Sequence, residues 1–236
     1  MWEKRYLCDL GTVMEGDDIE LKDRGFRCLD EERKKKLFKM RTKKTYWLSL
    51  GAGLLIQKAV KDFEATNVCE TTNIYEFDGR MKSPTFQMLS MHELVTNLEQ
   101  SPARQLSYTY GPQGKPYLCD IPMFFSLSHS GNLVYLVASD TEVGADLQQM
   151  TDMNMMQVAN RFFADSEKEL LNKAESAQVK KDIFFKLWTR KEAYGKYTGA
   201  GIVQAVGVSV EELEKDAYFF ETEKYENYLM SICRKA

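Results

Sequence analysis

Two acidic side chains and a lysine stand at spacings suited to holding a cation beside a phosphate. Glu192 and Lys196 lie four residues apart in "WTRKEAYGK", on one face of a predicted helix whose earlier turns carry Phe185 and Trp188. Asp146 stands in the apolar, strand-like stretch "VGADLQQM", where a carboxylate needs a partner or a cation to offset its desolvation. Because Mg²⁺ binds one or two carboxylates together with waters and phosphate oxygens, these acids indicate a candidate Mg²⁺ and phosphate site.

Each of these features also has a plainer interpretation, which the residues alone leave open. A Glu followed four residues later by Lys is a common stabilising pair on exposed helices, worth about 0.2–0.5 kcal/mol. Asp146 is also compatible with an Asx turn or a buried salt bridge. In "SLSHSG", His129 lies at a predicted strand-to-turn junction where hydroxyls and an imidazole can contact one anion, although a lone His in a turn is more often structural.

A basic segment and a Gly-Pro turn supply further candidate contacts. Residues 31–44, "EERKKKLFKMRTKK", carry eight basic residues against two acidic ones, which predicts either a solvated helix face or a docking site for phosphate. In "GPQGKP", Lys115 stands between Gly114 and Pro116, a backbone shape that lets a flat ring lie against the chain.

Composition excludes several classes of protein. The 236 residues are 44% hydrophobic and 28% charged, as expected for an ordered globular chain. The net charge of -3 argues against a general nucleic-acid binder. No apolar run approaches the ~20 residues that span a bilayer, so we expect no membrane association and a cytoplasmic location. The five cysteines contain no C-x-x-C pair and are expected to be reduced.

The order of predicted elements is that of an α+β protein with two halves, 1–143 and 144–236. "KRYLCDL" predicts an opening strand, "YWLSLGAGLLIQKAV" a buried helix whose Gly51 and Gly53 allow close packing, and residues 106–150 a sheet-forming middle. "TNIYEFDGR" predicts a strand, and "TFQMLSMHELVTNLEQSP" predicts a helix that stops before Pro102. Helices over "MNMMQVANRFF", "DSEKELLNKA" and residues 181–197 precede a closing pair of strands.

Taken in order, the motifs resemble the 4′-phosphopantetheinyl transferases of the surfactin-synthetase-activating type. The family's run G-K-P, S-H-S, G-x-D-x-E, R-F-F and W-x-x-K-E-x-x-x-K is matched by "GKP", "SHSG", "GADLQ", "RFF" and "WTRKEAYGK", and "EERKKK" resembles its N-terminal basic segment. The resemblance covers most of the chain, and residues 73–101 lie outside it. It implies two similar α+β halves related by a pseudo-twofold axis, with the ligand at their interface, and we expect a monomer.

The resemblance also implies an activity and a set of site residues. Such enzymes transfer the phosphopantetheine arm of coenzyme A to a serine of an apo acyl, polyketide or peptidyl carrier protein, release 3′,5′-ADP and use Mg²⁺. By motif position, Asp146, Gln148 and Glu192 would form the metal site. Glu192 would also be the general base, and Lys196 would stabilise or protonate the departing phosphate.

The residues expected to bind coenzyme A follow in the same way from the resemblance. Ser128 and His129 match the phosphate-contacting pair, and Lys115 with Pro116 matches the segment beside the adenine. Lys35 would meet the 3′-phosphate, assisted by neighbouring cations. Lys191 would act mainly in positioning. The full set is Arg33, Lys35, Lys39, Lys115, Pro116, Ser128, His129 and Lys191.

Two positions depart from the family pattern. Gln148 stands where the third metal ligand is usually an acid, so we expect weaker metal affinity, with its carbonyl oxygen or a water as ligand. Trp47 and Leu48 stand where relatives tend to carry basic or hydroxyl side chains, and Lys43 or Lys44 would substitute for them. The alternative function is therefore a non-catalytic coenzyme A or carrier-protein binding module with a decayed metal site.

Overall fold

The computed structural model describes residues 2–16, 18–68 and 86–235 of the chain. Its first elements are β1 (Glu3–Asp9), α1 (Gly11–Glu15), α2 (Ile19–Arg27), α3 (Glu31–Leu37), α4 (Lys43–Val68), β2 (Gln87–Ser90) and α5 (Met91–Leu98). The middle elements are β3 (Tyr108–Tyr110), β4 (Pro116–Leu118), β5 (Phe124–Ser130), β6 (Leu133–Ser139) and β7 (Gly144–Gln149). The last are α6 (Met155–Phe162), α7 (Asp165–Asn172), α8 (Ala177–Thr198), a 3₁₀ turn (Ile202–Ala205), α9 (Val210–Lys215), β8 (Tyr218–Tyr225) and β9 (Tyr228–Lys235). The strand predicted at "TNIYEFDGR" lies outside the described residues.

The chain folds into two compact units, and the α+β class is confirmed. The first unit comprises Met1–Tyr108, Leu118–Met123 and Asn132–Asp140, and the second comprises Thr109–Tyr117, Phe124–Gly131 and Thr141–Ala236. This division departs from the predicted boundary at residue 143, because β5 hydrogen-bonds to β7 through its serine side chains and so belongs with the second unit. The pseudo-twofold relation between the halves stays a prediction.

In the first unit, β1 pairs in parallel with β2 and antiparallel with β6. The predicted opening strand is thus confirmed as a central strand. Helix α4 packs against this sheet and against the neighbouring helices. A Cβ on Gly53 would lie 2.7 Å from Leu29 Cδ2, and one on Gly51 would lie 3.3 Å from Leu10 Cδ2. The close packing predicted for the two glycines is therefore confirmed, since a larger residue at either position would displace a buried leucine.

The helix predicted from Thr85 to the residue before Pro102 is wrong in its first part. Residues 87–90 form β2, and the helix begins only at Met91. The reason is a capping box at Ser90: its hydroxyl accepts from the Glu93 amide at 3.2 Å, and the Glu93 carboxylate accepts from the Ser90 amide at 2.7 Å. The S-x-x-E spacing was present in the sequence as a start signal.

In the second unit, β9 pairs antiparallel with both β7 and β8, giving the order β7-β9-β8. Helix α8 packs on this sheet against β7 and β9. The predicted closing strand pair is confirmed. Thus the strand that carries Asp146 and the helix that carries Glu192 are neighbours within one compact unit.

The two phenylalanines of the "RFF" motif pack in a hydrophobic core with aromatic residues of α8. Phe163 stacks on Phe184 with ring centroids 5.4 Å apart, and Phe162 meets Trp188 edge-on at 5.5 Å. Such pairs stabilise a core beyond the area they bury. Across the described ranges, the structure contains no helix with the length and apolar content needed to span a membrane.

Candidate active site

Asp146 is a buried carboxylate with one oxygen saturated and the other without a partner. The residue is 2% exposed on β7. Oδ1 accepts hydrogen bonds from the Ser128 hydroxyl and from the Lys196 ammonium, each at 2.8 Å. Oδ2 is buried and accepts no hydrogen bond from the residues that the structure describes. Because a desolvated charge without a partner is costly, Oδ2 is the atom where a cation would stabilise the site most.

Glu192 provides a second carboxylate whose ionisation is coupled to the first. The pKa of Glu192 is raised to about 7, chiefly by burial and then by the negative charge of Asp146, while Lys196 acts in the opposite direction. In the absence of a cation, the group therefore titrates near neutral pH. A carboxylate with such a pKa is suited to accepting a proton from a substrate.

Helix α8 carries its charged residues at its C-terminal end for a local reason. Ser176 caps the start by accepting from the Val179 amide at 3.2 Å, and Gly199 ends the helix in the left-handed conformation, with φ 71°. Lys196 therefore lies in the last turn, where a cation interacts favourably with the unpaired carbonyl groups. The same turn places its amine on Asp146.

Gly144 lets α8 lie directly on β7. A Cβ on this residue would overlap the Ala193 carbonyl oxygen and the Tyr197 amide nitrogen, both of them main-chain atoms of α8. The helix could not keep this distance from the strand if any side chain stood between them. Sequence reasoning missed this role, although an isolated Gly inside an apolar strand is a signal of close backbone approach.

Three serines of β5 orient β7 beside them. Ser126 accepts from the Ala145 amide at 2.8 Å, Ser130 accepts from the Gln149 amide at 2.9 Å, and Ser128 between them binds Asp146. Ser128 was predicted to contact phosphate, but its buried hydroxyl is engaged by the carboxylate. His129, its predicted partner in phosphate binding, is exposed.

Gln148 lies two residues after Asp146 on the same strand, so both side chains are on one face of β7. Its carbonyl oxygen lies 3.5 Å from the Ser130 hydroxyl, which donates to it. Asp146, Gln148, Glu192 and Lys196 all belong to the second unit, and their joint role as a site stays a prediction. The ion pair between Lys196 and Asp146 is a buried salt bridge of the kind that the sequence left open for Asp146.

Lys115 is an internal anchor in this structure. Its amine donates to the Glu142 carboxylate at 2.5 Å and to the carbonyl oxygens of Val143 and Tyr197 at 3.2 and 2.9 Å. Burial lowers the pKa of Lys115, and Glu142 opposes that shift. Because an ammonium has three donors and all are used, the predicted contact with adenine would have to come from the backbone of Lys115 and Pro116.

Lys191 is fully buried with internal partners, so its predicted place in the coenzyme-binding set is not supported. Its side chain has no exposed surface and pairs with the buried Glu167 carboxylate at 2.9 Å. It also donates to the carbonyl oxygens of Ala205 and Val208. A buried lysine with three internal partners joins α8, α7 and the 3₁₀ turn and fixes their packing.

The basic residues expected at the 3′-phosphate lie in the first unit. Lys35 and Lys39 are exposed on and just after α3. Arg33, by contrast, is buried, with its guanidinium 5.5 Å from the centre of the Tyr108 ring. Its predicted assistance to the phosphate is therefore not supported. Trp47 is fully buried in α4, whereas Lys43 and Lys44 are exposed.

The side chains at Asp146 fit a divalent cation with few protein ligands. Within residues 2–16, 18–68 and 86–235, no group of three or more His, Cys, Asp or Glu residues is arranged to hold a metal ion. Two carboxylates and a Gln carbonyl are nevertheless enough for Mg²⁺, which keeps waters and takes phosphate oxygens. The unpartnered Oδ2 of Asp146 and the raised pKa of Glu192 are both relieved by positive charge at this point.

Comparison with known sequences shows which family the part of the chain that carries the site resembles. Residues 142–232, which include Asp146, Glu192 and Lys196, match the model of the 4′-phosphopantetheinyl transferase superfamily. This part of the chain is similar to that superfamily, in agreement with the resemblance drawn from the motifs.

Individual relatives agree with this assignment. The chain is 39% identical over 116 residues to the 4′-phosphopantetheinyl transferase HetI of Nostoc sp., a match covering 47% of this chain and 46% of HetI. It is 33% identical over 128 residues to 4′-phosphopantetheinyl transferase psf-1 of Bacillus pumilus, covering 53% and 54%. It is 30% identical over 145 residues to 4′-phosphopantetheinyl transferase gsp of Aneurinibacillus migulanus, covering 56% and 60%. The chain thus spans about half the length of the curated relatives it matches.

Replacing Gly144 with Ala should separate α8 from β7. The added methyl group meets main-chain atoms that cannot rotate away, so we expect a loss of about 1–3 kcal/mol in unfolding free energy. Chemical denaturation measures the change. Gly16→Ala is the matched control, since a Cβ there has its nearest neighbour at 3.8 Å. Equal stability of Gly144→Ala and the unchanged protein would contradict the close-approach argument.

The raised pKa of Glu192 should make stability depend on pH in buffer containing EDTA. Because the folded-state pKa is about 7 and lies above the ordinary value of glutamate, its stabilising contribution is full at low pH and is lost as pH rises through about 7. Glu192→Gln should therefore match the unchanged protein at about pH 4 and melt at a higher temperature at about pH 8. Thermal denaturation across this range provides the measurement, and parallel profiles would rule the shift out.

Proposed function

We propose that the protein is a Mg²⁺-dependent 4′-phosphopantetheinyl transferase, which moves the phosphopantetheine arm of coenzyme A to a serine of a carrier protein. The observation that carries this proposal is the half-satisfied Asp146 carboxylate, which lies beside Lys196 and is electrostatically coupled to Glu192. A cation and the pyrophosphate of a substrate supply the charges that this arrangement needs. The superfamily match over residues 142–232 supports the same conclusion.

The residues act in the proposed reaction as follows. Asp146, Glu192 and the Gln148 carbonyl would hold the Mg²⁺, which neutralises charge on the pyrophosphate when bound. Glu192 accepts the proton of the carrier serine directly or through a water. The serine oxygen then bonds to the phosphorus that carries the pantetheine arm, and the bond to 3′,5′-ADP breaks. Lys196 stabilises or protonates the departing phosphate, a role for which it must leave Asp146 or share its donors.

The remaining residues orient the coenzyme or the machinery around it. His129 is exposed and is proposed to contact a phosphate, while Ser128 orients Asp146. Lys35 and Lys39 are the exposed cations proposed for the 3′-phosphate, and charge-assisted donors are what a dianion requires. Lys115 and Pro116 are proposed beside the adenine through their backbone. The proposed carrier is an acyl, polyketide or peptidyl carrier protein, and the proposed location of the protein is the cytoplasm.

A second candidate is a non-catalytic binding module for coenzyme A or for a carrier protein. The observation in its favour is Gln148, which lowers the negative charge of the metal site by one relative to an acid at that position. A module would bind coenzyme A or the carrier without transfer. The mass of the carrier separates the two functions.

Incubation with coenzyme A, Mg²⁺ and an apo carrier protein should increase the mass of the carrier by one phosphopantetheine arm. Mass spectrometry of the carrier detects the gain, and fatty-acid, polyketide and peptide carriers are assayed in parallel. EDTA or Glu192→Gln should abolish the gain, because each removes a charge that the reaction requires. Glu169→Gln, a change at an exposed glutamate of α7 paired with Lys173, is the matched control and should transfer normally. Binding without any gain would support the module instead.

Gln148→Glu should strengthen binding of Mg²⁺. The substitution adds a third carboxylate to the proposed site, beside Asp146 on the same face of β7. The Mg²⁺ concentration giving half-maximal transfer should therefore fall several-fold. A titration of the transfer rate with Mg²⁺ measures this. Gln149→Glu, on the opposite face of the strand, should leave the requirement unaltered. The expectation is wrong if Gln148→Glu and the unchanged protein need the same concentration.

A further inference from the structure

A chain of polar side chains runs across the sheet beneath α8. Arg190 Nε donates to the Thr222 hydroxyl at 2.9 Å, the Thr222 and Ser231 hydroxyls are 3.0 Å apart, and the Ser231 and Thr189 hydroxyls are 2.7 Å apart. The Thr189 hydroxyl also lies 2.9 Å from the Phe185 carbonyl oxygen. Thr189 and Ser231 are fully buried. The chain leaves α8 at Arg190, crosses β8 and β9, and returns to α8 at Thr189.

The direction of the hydrogen bonds in this chain follows from its two ends. A guanidinium only donates, and a carbonyl oxygen only accepts. The Thr222 hydroxyl, which accepts from Arg190, therefore donates to Ser231, and Ser231 donates to Thr189. Thr189 in turn donates to Phe185. One arrangement satisfies every hydroxyl, so the chain has a single low-energy state and holds α8 at one position along the sheet.

The chain is aligned with Asp146. Ser231 is the register partner of Asp146 on β7 and of Thr222 on β8, so the three residues form one row across the strands. Side chains of directly opposed residues lie on the same face of a sheet. On the helix, Thr189 precedes Glu192 by three residues and Lys196 by seven, so these residues also share one face. The row of Asp146, Ser231 and Thr222 on the sheet therefore contacts the row of Thr189, Glu192 and Lys196 on the helix.

We propose that the paired hydroxyls of Thr189 and Ser231 are positioning groups that set the register of α8 on the sheet and so the placement of Glu192 against Asp146. This inference rests on the proposed function, because it assigns to the pair an effect on the metal site. A slip of the helix by one residue would move Glu192 about 1.5 Å along its axis and rotate it away from Asp146. Partners that orient metal-binding side chains typically change metal affinity or activity by 10–100-fold when removed.

Thr189→Val and Ser231→Ala test the proposal, since both remove a hydroxyl while keeping a small side chain. We expect each to weaken binding of Mn²⁺, used as the probe in the presence of coenzyme A without carrier, by about 10-fold. Electron paramagnetic resonance of free Mn²⁺ measures this without turnover. The kcat for transfer should fall, while the KM for coenzyme A stays unchanged. The double variant should bind Mn²⁺ no more weakly than the single variant with the lower affinity. Thr189→Ser, which keeps a hydroxyl at this position, should bind Mn²⁺ as the unchanged protein does.

A control separates positioning from general loss of stability. Ser209→Ala removes another buried hydroxyl of the second unit, the cap of α9, and should lower the melting temperature without altering Mn²⁺ affinity. Should Thr189→Val fail to fold, Thr222→Val breaks the chain at its half-exposed member and carries the same expectation.

Two results would overturn the proposal, and they are distinguishable. If the unchanged protein transfers phosphopantetheine while the hydroxyl variants melt earlier but bind Mn²⁺ normally, the pair is only structural and the proposed function stands. If the unchanged protein transfers nothing to any carrier, the proposed function fails and this inference fails with it.

Discussion

The second unit is organised around the desolvation of Asp146. A carboxylate that is 2% exposed must be compensated, and the protein provides a hydroxyl and an ammonium at one oxygen while leaving the other without a partner among the described residues. Burial, and then the negative charge of Asp146, raise the pKa of the neighbouring Glu192. The two acids therefore make a site that is strained in electrostatic terms and is stabilised by added positive charge. In the proposed function, a cation that binds together with the substrate supplies this positive charge.

That electrostatic arrangement depends on main-chain contact between a helix and a strand. Gly144 removes the side chain that would hold α8 away from β7, and the end of the helix at Gly199 places Lys196 in the last turn. Asp146 is buried where the strand meets the helix. Desolvation and proximity, which together raise the pKa of Glu192, thus have a common structural origin.

The lysines in the motifs have two kinds of surroundings. Lys196 contacts the site, whereas Lys115 and Lys191 stabilise the packing around it. Lys115 and Lys191 are both motif residues, yet each has its amine engaged by a carboxylate and two carbonyl oxygens. Lys196 is partly exposed and has Asp146 as its partner. A buried ammonium with all donors used cannot bind a ligand without breaking the fold, whereas an exposed one exchanges partners readily. The spacing of residues in a motif does not distinguish these cases.

Periodicity and motif order are local properties of the chain, and from them the α+β class and most of the elements were predicted correctly. The same motifs predicted Asp146, Gln148, Glu192 and Lys196 as the site, which stays a prediction. It also carried the S-x-x-E signal at Ser90, which periodicity over the longer segment outweighed. Contacts between distant parts of the chain place Ser128 on Asp146, Lys191 on Glu167, and Thr189 on Ser231, and no local pattern predicts them. These contacts join residues 18 to 42 positions apart, and which of two charged or hydroxyl groups a side chain meets is decided by packing between elements.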